Sequence, residues 1–286
     1  MSIRSRTLRS SCHVTGVGVH SGAPTSVTLM PAHDKHGIVF YQDEKCVKAH
    51  HSCVISTDFC TTLGSGDISV KTVEHLMSAL DACGIDHVQI HINGQEVPVL
   101  DGSSHIFCEK IQEAGVTDLD SERAYWRVCK PVTVGDQDRY CVLEPYNGRI
   151  FSACVKMSHP LCDDLLVHTF DMLQDDYMAE IASARTYGFL SQWEYMKKAG
   201  LSKGASLDNV LVFGQDDIVN PEGMRFSNEP ARHKILDAIG DLYLAGAPII
   251  GSYQGVCAGH GLNCELLRKA FMTDALELVS SACLVA

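Results

Sequence analysis

Three side chains that can bind a metal ion follow one another at intervals of four residues. His233, Asp237 and Asp241 would lie on one stripe of a helix, because residues four apart are neighbours on a helix surface. A neutral imidazole and a carboxylate one turn apart can bind the same divalent cation. One histidine and one carboxylate are only two ligands, and two ligands hold a metal weakly. His75, with Glu74 directly beside it, is the candidate for the third ligand. These residue types predict a catalytic zinc site with an open coordination position.

Each of these residues also has a purely structural interpretation. A lone His/Asp pair at this spacing is most often a surface hydrogen bond. Here, however, the polar residues alternate with apolar ones such as Ile235 and Ile239, and burying them without partners would be costly. On a helix Glu74 would point about 100° away from His75, which suits a base beside the metal better than a ligand. His260, flanked by two glycines, has the ordinary alternative of a loop or helix-cap histidine.

The elements that carry these residues recur in the same order in both halves of the chain. The predicted order is a helix at 70–82, a strand at 87–92 and a helix ending near 113, then a helix at 231–244, a strand at 249–257 and a helix at 263–271. Asn93-Gly94 predicts a tight turn that folds residues 96–100 back as a hairpin. The repeated order predicts an α+β fold of two similar domains with layered sheets and helices, covering residues 1–120 and 121–286.

One segment of the second half, at about residues 187–228, has no counterpart in the first. It predicts a helix over 188–200 and a strand over 209–213. Phe189, Trp193 and Met196 form an apolar stripe at helical spacing. Two interpretations remain open: the stripe packs against the parent domain, or the segment is an insertion that builds a hydrophobic binding channel.

Composition narrows the class of protein. A hydrophobic content of 45% and a charged content of 20% are typical of a globular protein. The formal net charge of −12 argues against nucleic acid as a partner. There are 13 cysteines but no Cys-x-x-Cys pair, and neither a signal peptide nor a membrane-spanning run is recognisable. We therefore expect a cytoplasmic protein with free thiols. No obligate protein partner is indicated.

Six motifs, in order and spread over nearly the whole chain, resemble those of the UDP-3-O-acyl-N-acetylglucosamine deacetylase family, zinc enzymes of lipid A biosynthesis. They are GVGVHSG (16–22), TVEHLMSAL (72–80), EVPVLDGSS (96–104), ARTYGF (184–189), RHKILDAIGDL (232–242) and GHGLN (259–263). Any one of them alone would be weak, but together they are highly specific. One departure from the family pattern is Tyr187, where phenylalanine is common.

The resemblance implies a role for each candidate residue. His75, His233 and Asp237 would bind Zn²⁺, and Glu74 would be the general base. Thr186 would help to stabilise the oxyanion, and His260, oriented by Asp241, would protonate the leaving amine, with Lys234 adding positive charge. His20, Gly259, Tyr187 and Phe189 would hold the substrate, a UDP-linked acylated glucosamine. The family fold, two similar α+β domains with helices sandwiched between sheets, agrees with the repeat, and its second insertion favours the channel.

Two competing functions are distinguishable by experiment. Another zinc hydrolase, such as a deaminase or a peptidase, would share the ligands and would not require the acyl chain. A structural metal-binding protein would have a closed site with four ligands, and loss of the metal would unfold it. In that case replacing Glu74 would change nothing.

Overall fold

The computed structural model describes residues 3–162, 164–198 and 200–281. The strands are β1 (Arg4–Leu8), β2 (Cys12–Val17), β3 (Pro24–Pro31), β4 (Ile38–Gln42), β5 (Lys45–Lys48), β6 (Val54–Ser56), β7 (Thr62–Ser65), β8 (Ile68–Val70), β9 (Val88–Asn93), β10 (Val116–Glu122), β11 (Ala124–Val128), β12 (Val132–Gly135), β13 (Tyr140–Glu144), β14 (Arg149–Lys156), β15 (Leu165–Asp171), β16 (Tyr187–Phe189), β17 (Leu211–Phe213), β18 (Ile249–Val256) and β19 (Leu276–Ser280). The helices are α1 (Glu74–Ala82), α2 (His105–Ala114), α3 (Tyr177–Glu180), α4 (Leu190–Lys198), α5 (Glu229–Tyr243) and α6 (His260–Met272). Within these described ranges, none of the helices has both the length and the apolar character needed to cross a membrane.

Two sheets repeat one topology. In the first, the order is β2-β3-β9-β4-β5, and β9 is antiparallel to β3 and parallel to β4. In the second, β18 is likewise antiparallel to β13 and parallel to β14, while β12 pairs with β13 and β15 with β14. Strands β11 and β19 extend the second sheet. The mixed α+β class and the repeated plan predicted above are confirmed, whereas the domain boundary near residue 120 stays a prediction.

Helices α1 and α5 pack against each other within one continuous hydrophobic core that also contains residues of both sheets. Gly240 makes this contact possible, because a Cβ at this position would lie 2.0 Å from the carbonyl oxygen of Glu74. A glycine inside a helix is destabilising by about 1 kcal/mol relative to alanine. Here it lets the α5 backbone approach the first residue of α1, and so brings the two candidate metal-binding helices together.

Several predicted boundaries were wrong. Helix α1 begins at Glu74 rather than at 70, because residues up to Val70 belong to β8 and Thr72 has a φ of +58°. The hairpin predicted for 96–100 does not form. Instead, the N–H of Lys71 donates to Gln95 and the N–H of Val97 donates to Lys71, so this segment pairs with the residue after β8. Helix α6 begins at His260, three residues earlier than predicted.

Candidate metal centre and active site

Three buried side chains from two helices converge on one point. His75 of α1 and His233 and Asp237 of α5 each offer a ligand atom, and these atoms lie within 4.8 Å of one another. Asp237 Oδ1 is 3.6 Å from His75 Nε2 and 3.4 Å from His233 Nε2. The two imidazole rings are perpendicular, with centroids 5.0 Å apart. The four-residue spacing on α5 therefore aligns His233 and Asp237, and the contact between α1 and α5 brings His75 to them.

The donor set fits a divalent metal. Asp237 Oδ1 is buried and has no hydrogen-bond partner among the described residues, an arrangement that is unfavourable unless a cation satisfies it. His233 donates from Nδ1 to the carbonyl of Ala184 at 3.0 Å, which leaves the lone pair of Nε2 directed at the site. Burial lowers the pKa of His233 to about 3, so this imidazole is neutral and able to bind a metal.

A carboxylate and an imidazole flank this cluster. Glu74 Oε1 lies 3.7 Å from His260 Nε2, and Glu74 Oε2 accepts the backbone N–H of Thr61 at 3.0 Å. Burial raises the pKa of Glu74, which makes its carboxylate a stronger base than an exposed one. Glu74 can therefore accept a proton from a reacting group in contact with both side chains, and His260 can donate one to it.

Asp241 holds the other nitrogen of His260. Its Oδ2 is 2.9 Å from His260 Nδ1, so Nε2 is the nitrogen left to face Glu74. Burial and the position of His260 at the start of α6 both disfavour the imidazolium. The carboxylates of Asp241, Glu74 and Asp237 outweigh that penalty and raise the pKa of His260 to about 10. His260 is thus a proton donor at neutral pH.

Two residues that sequence reasoning assigned no role complete this network. Thr61 donates from Oγ1 to Asp241 Oδ1 at 2.5 Å, and Asn263 donates from Nδ2 to Asp241 Oδ2 at 2.9 Å. Both are fully or almost fully buried. Asn263 lies three residues after His260, in the GHGLN motif, so its position on α6 was a usable signal. Nothing in a single sequence distinguishes Thr61 from its neighbour Thr62.

Lys234 neutralises the second oxygen of Asp237. Its Nζ is 2.8 Å from Asp237 Oδ2 and 5.8 Å from the ring centroid of Tyr187. Burial opposes the ammonium, but Asp237 raises the pKa of Lys234 above its usual value. In the reverse direction, burial favours the neutral acid, but the ammonium of Lys234 and the adjacent imidazoles hold the pKa of Asp237 well below its usual value. Asp237 is therefore an anion with one oxygen directed at Lys234 and the other at the two imidazoles.

His20 is positioned by a buried carboxylate. Glu96 accepts the backbone N–H groups of His20 and Ser21, both at 2.9 Å. Gly18 is necessary for this arrangement, because a Cβ there would lie 2.1 Å from Glu96 Oε2. The imidazole of His20 keeps Nδ1 buried without a hydrogen-bond partner in the described part of the chain. The glycine-rich motif at 16–22 thus presents His20 to the cavity described next.

A cavity of about 780 Å³ joins these groups. Its lining contains every residue predicted for the site except Asp241, which lies behind His260. The backbone of Thr186 is fixed by hydrogen bonds to Gly102 and Leu211, both 2.8 Å. Gly259 borders open space, because a Cβ there would meet no atom within 4 Å other than those of its own chain neighbours. One part of the lining is apolar and comes mostly from the segment at 187–228: Tyr187, Phe189, Trp193, Met196, Val210 and Val212.

Comparison with known proteins gives a uniform result. The family model described as UDP-3-O-acyl N-acetylglycosamine deacetylase matches residues 5–272. The UDP-3-O-acyl-N-acetylglucosamine deacetylase of Acidithiobacillus ferrooxidans is 41% identical over 286 residues, which cover 98% of this chain and 94% of that protein. The proteins of the same name from Coxiella burnetii and Teredinibacter turnerae are 39% and 40% identical, each over 97% of this chain and 94% of the relative.

Proposed function

The chain belongs to the UDP-3-O-acyl N-acetylglycosamine deacetylase family, and we propose that it hydrolyses the 2-acetamido group of UDP-3-O-acyl-N-acetylglucosamine. The products are acetate and UDP-3-O-acyl-glucosamine, and the reaction is an early step of lipid A biosynthesis. The observation that carries this proposal is the convergence of His75, His233 and Asp237 beside the Glu74–His260 pair in one cavity.

The family is one of metalloenzymes, and we propose Zn²⁺ as the metal of this chain. His75, His233 and Asp237 would hold it. Catalytic zinc sites commonly have three protein ligands, so that water or substrate can also bind. A bound zinc ion supplies Lewis-acid polarisation of the amide carbonyl and lowers the pKa of a coordinated water to roughly 7. Lys234, on the far oxygen of Asp237, keeps that carboxylate ionised and oriented.

Proton transfer is assigned to Glu74 and His260. Glu74, with a raised pKa and one oxygen fixed by the N–H of Thr61, accepts the proton of the attacking water. His260 donates the proton that the amine needs to leave, and Asp241 orients its ring. Thr186 lines the cavity from a fixed backbone and contributes to stabilising the oxyanion of the tetrahedral intermediate.

The substrate occupies the cavity in two parts. Its acyl chain lies along the apolar part of the lining, against the rings of Tyr187 and Phe189 and the side chain of Trp193. His20 and Gly259 contact the polar part near the metal. In this assignment residues 187–228 are an insertion that builds the acyl channel, carried by a second domain of residues 121–286, and residues 1–120 form the first.

We propose that the enzyme acts in the cytoplasm. Buried cysteines such as Cys60, Cys108 and Cys264 are free thiols, as expected of a protein kept in a reducing compartment.

Acetate release from the acylated UDP-sugar, measured alongside metal content, tests the function. Wild type should contain one metal ion per chain and should act far more slowly on the UDP-sugar that lacks the 3-O-acyl group. Glu74→Gln should keep metal and thermal stability but lower kcat by about 100-fold or more. Glu109→Gln, an exposed glutamate on α2, is the matched control and should match wild type. Equal rates on both sugars would favour a broader hydrolase, and an unchanged Glu74→Gln would favour a structural metal site.

A further inference from the structure

Backbone strain is concentrated around the cavity. Eight non-glycine residues of the described ranges have a positive φ, and three of them, Phe59, Thr72 and Ser202, line the cavity. Such conformations are unfavourable for residues that carry a Cβ, most of all for bulky ones. Phe59, at +62°, is the one aromatic residue among the eight. Strain of this kind persists only where the surroundings impose it, and it is often associated with function.

The chain on both sides of Phe59 explains how the strain is imposed. Two residues later, Thr61 is fully buried and is bonded to both Glu74 and Asp241. On the other side, the N–H of Asp58 donates to the hydroxyl of Ser56 at 3.2 Å. These hydrogen bonds restrict the backbone on both sides of Phe59. Phe59, between them, adopts the left-handed conformation.

Packing does not account for the side chain of Phe59. It is 58% exposed and does not belong to the hydrophobic core. Within residues 3–162, 164–198 and 200–281, its one aromatic neighbour is His20, whose ring centroid is 6.4 Å away at an interplanar angle of 52°. An exposed phenylalanine in a strained conformation at the edge of a cavity lowers stability on both counts. A ligand that covers the ring would compensate for both.

We propose that Phe59 is a substrate-contacting residue whose ring covers the flat face of a ring of the bound UDP-sugar, beside His20. This rests on the proposed function. The chemistry required of the ligand is a flat, weakly polar ring face, which both the pyranose and the uracil of a UDP-sugar present. Phe59 is neither one of the three candidate metal ligands nor part of the Glu74–His260 pair, so it has no group to offer to the reacting acetamido group. Phe59 therefore contributes to binding rather than to the chemical step.

The test is ligand affinity in a Glu74→Gln background, which prevents turnover. Isothermal titration with the acylated UDP-sugar should give a Kd about tenfold higher for Phe59→Ala than for the background. Phe59→Tyr, which keeps the ring, should stay within twofold. Titrations with UDP alone and with UDP-N-acetylglucosamine identify the ring: a loss with both assigns uracil, and a loss with the second alone assigns the pyranose. In turnover assays of the otherwise unaltered enzyme, Phe59→Ala should raise KM and leave kcat within about twofold.

Thermal unfolding tests the strain separately. Phe59→Gly should have a Tm about 2 °C above that of Phe59→Ala, because glycine adopts the positive φ without penalty. Lys35, at φ +64° and not part of the cavity lining, is the control: Lys35→Gly should gain similarly over Lys35→Ala and bind substrate like wild type. A Phe59→Ala Kd within twofold of the background, in a chain whose wild type releases acetate, overturns the inference alone. A wild type that neither binds nor cleaves the UDP-sugar overturns the proposed function as well.

Discussion

Replacing Thr61 by valine tests whether the buried network behind His260 matters for catalysis. Valine has nearly the same shape but cannot donate the 2.5 Å hydrogen bond to Asp241 Oδ1. Asp241 is completely buried, so no water replaces the lost donor. A hydrogen bond to a charged group contributes about 1.5–3 kcal/mol. We expect a loss of about 2 kcal/mol in the free energy of unfolding, with a Tm lowered by about 4–8 °C.

The same substitution should slow the reaction without removing its parts. The N–H of residue 61 still donates to Glu74, and Asp241 Oδ2 still contacts His260 and Asn263. With one of its oxygens released, the Asp241 carboxylate holds the imidazole less firmly. A loss of about 1.4 kcal/mol in transition-state stabilisation corresponds to a tenfold lower kcat. We expect that decrease in kcat, with KM changed by less than about twofold.

Two further variants make the test specific to this hydrogen bond. Thr61→Ser keeps the hydroxyl and should recover most of kcat. Thr62→Val changes the adjacent buried threonine, whose hydroxyl contacts the thiol of Cys60 at 3.8 Å, and should stay close to wild type in kcat. Denaturant unfolding and steady-state acetate release are the assays. If Thr61→Val matched wild type in both, or if Thr62→Val were equally damaged, the reasoning about Asp241 would be refuted.

Three other changes give measurable outcomes. Gly240→Ala places a Cβ 2.0 Å from the carbonyl oxygen of Glu74. Although alanine has the better helix propensity, this variant should lower the free energy of unfolding by about 2 kcal/mol and lower the amount of metal bound per chain. Stability equal to that of wild type would contradict this. Burial lowers the pKa of His260, but Asp241 and Glu74 raise it to about 10, so wild-type kcat should fall on the alkaline side only near that pH. Asp241→Asn should move that alkaline limb to lower pH, and an unmoved limb would exclude His260 as the acid. On the acid side, activity should begin to fall at a pH above the usual pKa range of carboxyl groups, because burial raises the pKa of Glu74. Removing the metal should lower Tm, and Zn²⁺ at 100 times its Kd should restore about 2.7 kcal/mol; identical Tm values with and without metal would contradict a bound ion.

The elements that were readable from sequence are those governed by local periodicity. Helix α5 and strand β18 were predicted to within two residues, because long apolar periods, Pro230 in the first turn of α5 and Gly246 beyond its end mark them. The start of α1 and the course of residues 96–100 depend instead on a pairing with Lys71, a contact across 25 residues that no local pattern encodes. Thr61 and Asp241 meet across 180 residues, so their hydrogen bond was beyond any reading of spacing.

The repeated topology explains why the candidate site needs both halves of the chain. Each central strand is preceded by a helix, α1 or α5, and these two helices contribute His75 on one side and His233 with Asp237 on the other. Each is also followed by a helix that begins with histidine, but the two histidines have different surroundings. His105 of α2 lies 3.2 Å from Glu109 of its own helix, whereas His260 of α6 contacts Asp241 of α5.

Neither half alone therefore has a complete set of ligands or an acid and a base. The separation of the ligands is set by the packing of α1 on α5 at Gly240 rather than by the sequence of either helix. Any substitution that widens this contact should weaken metal binding and folding together, because the same distance determines both. Thr61→Val removes a hydrogen bond to Asp241 of α5 without altering the contact between α1 and α5, so it should instead leave the bound metal at one ion per chain.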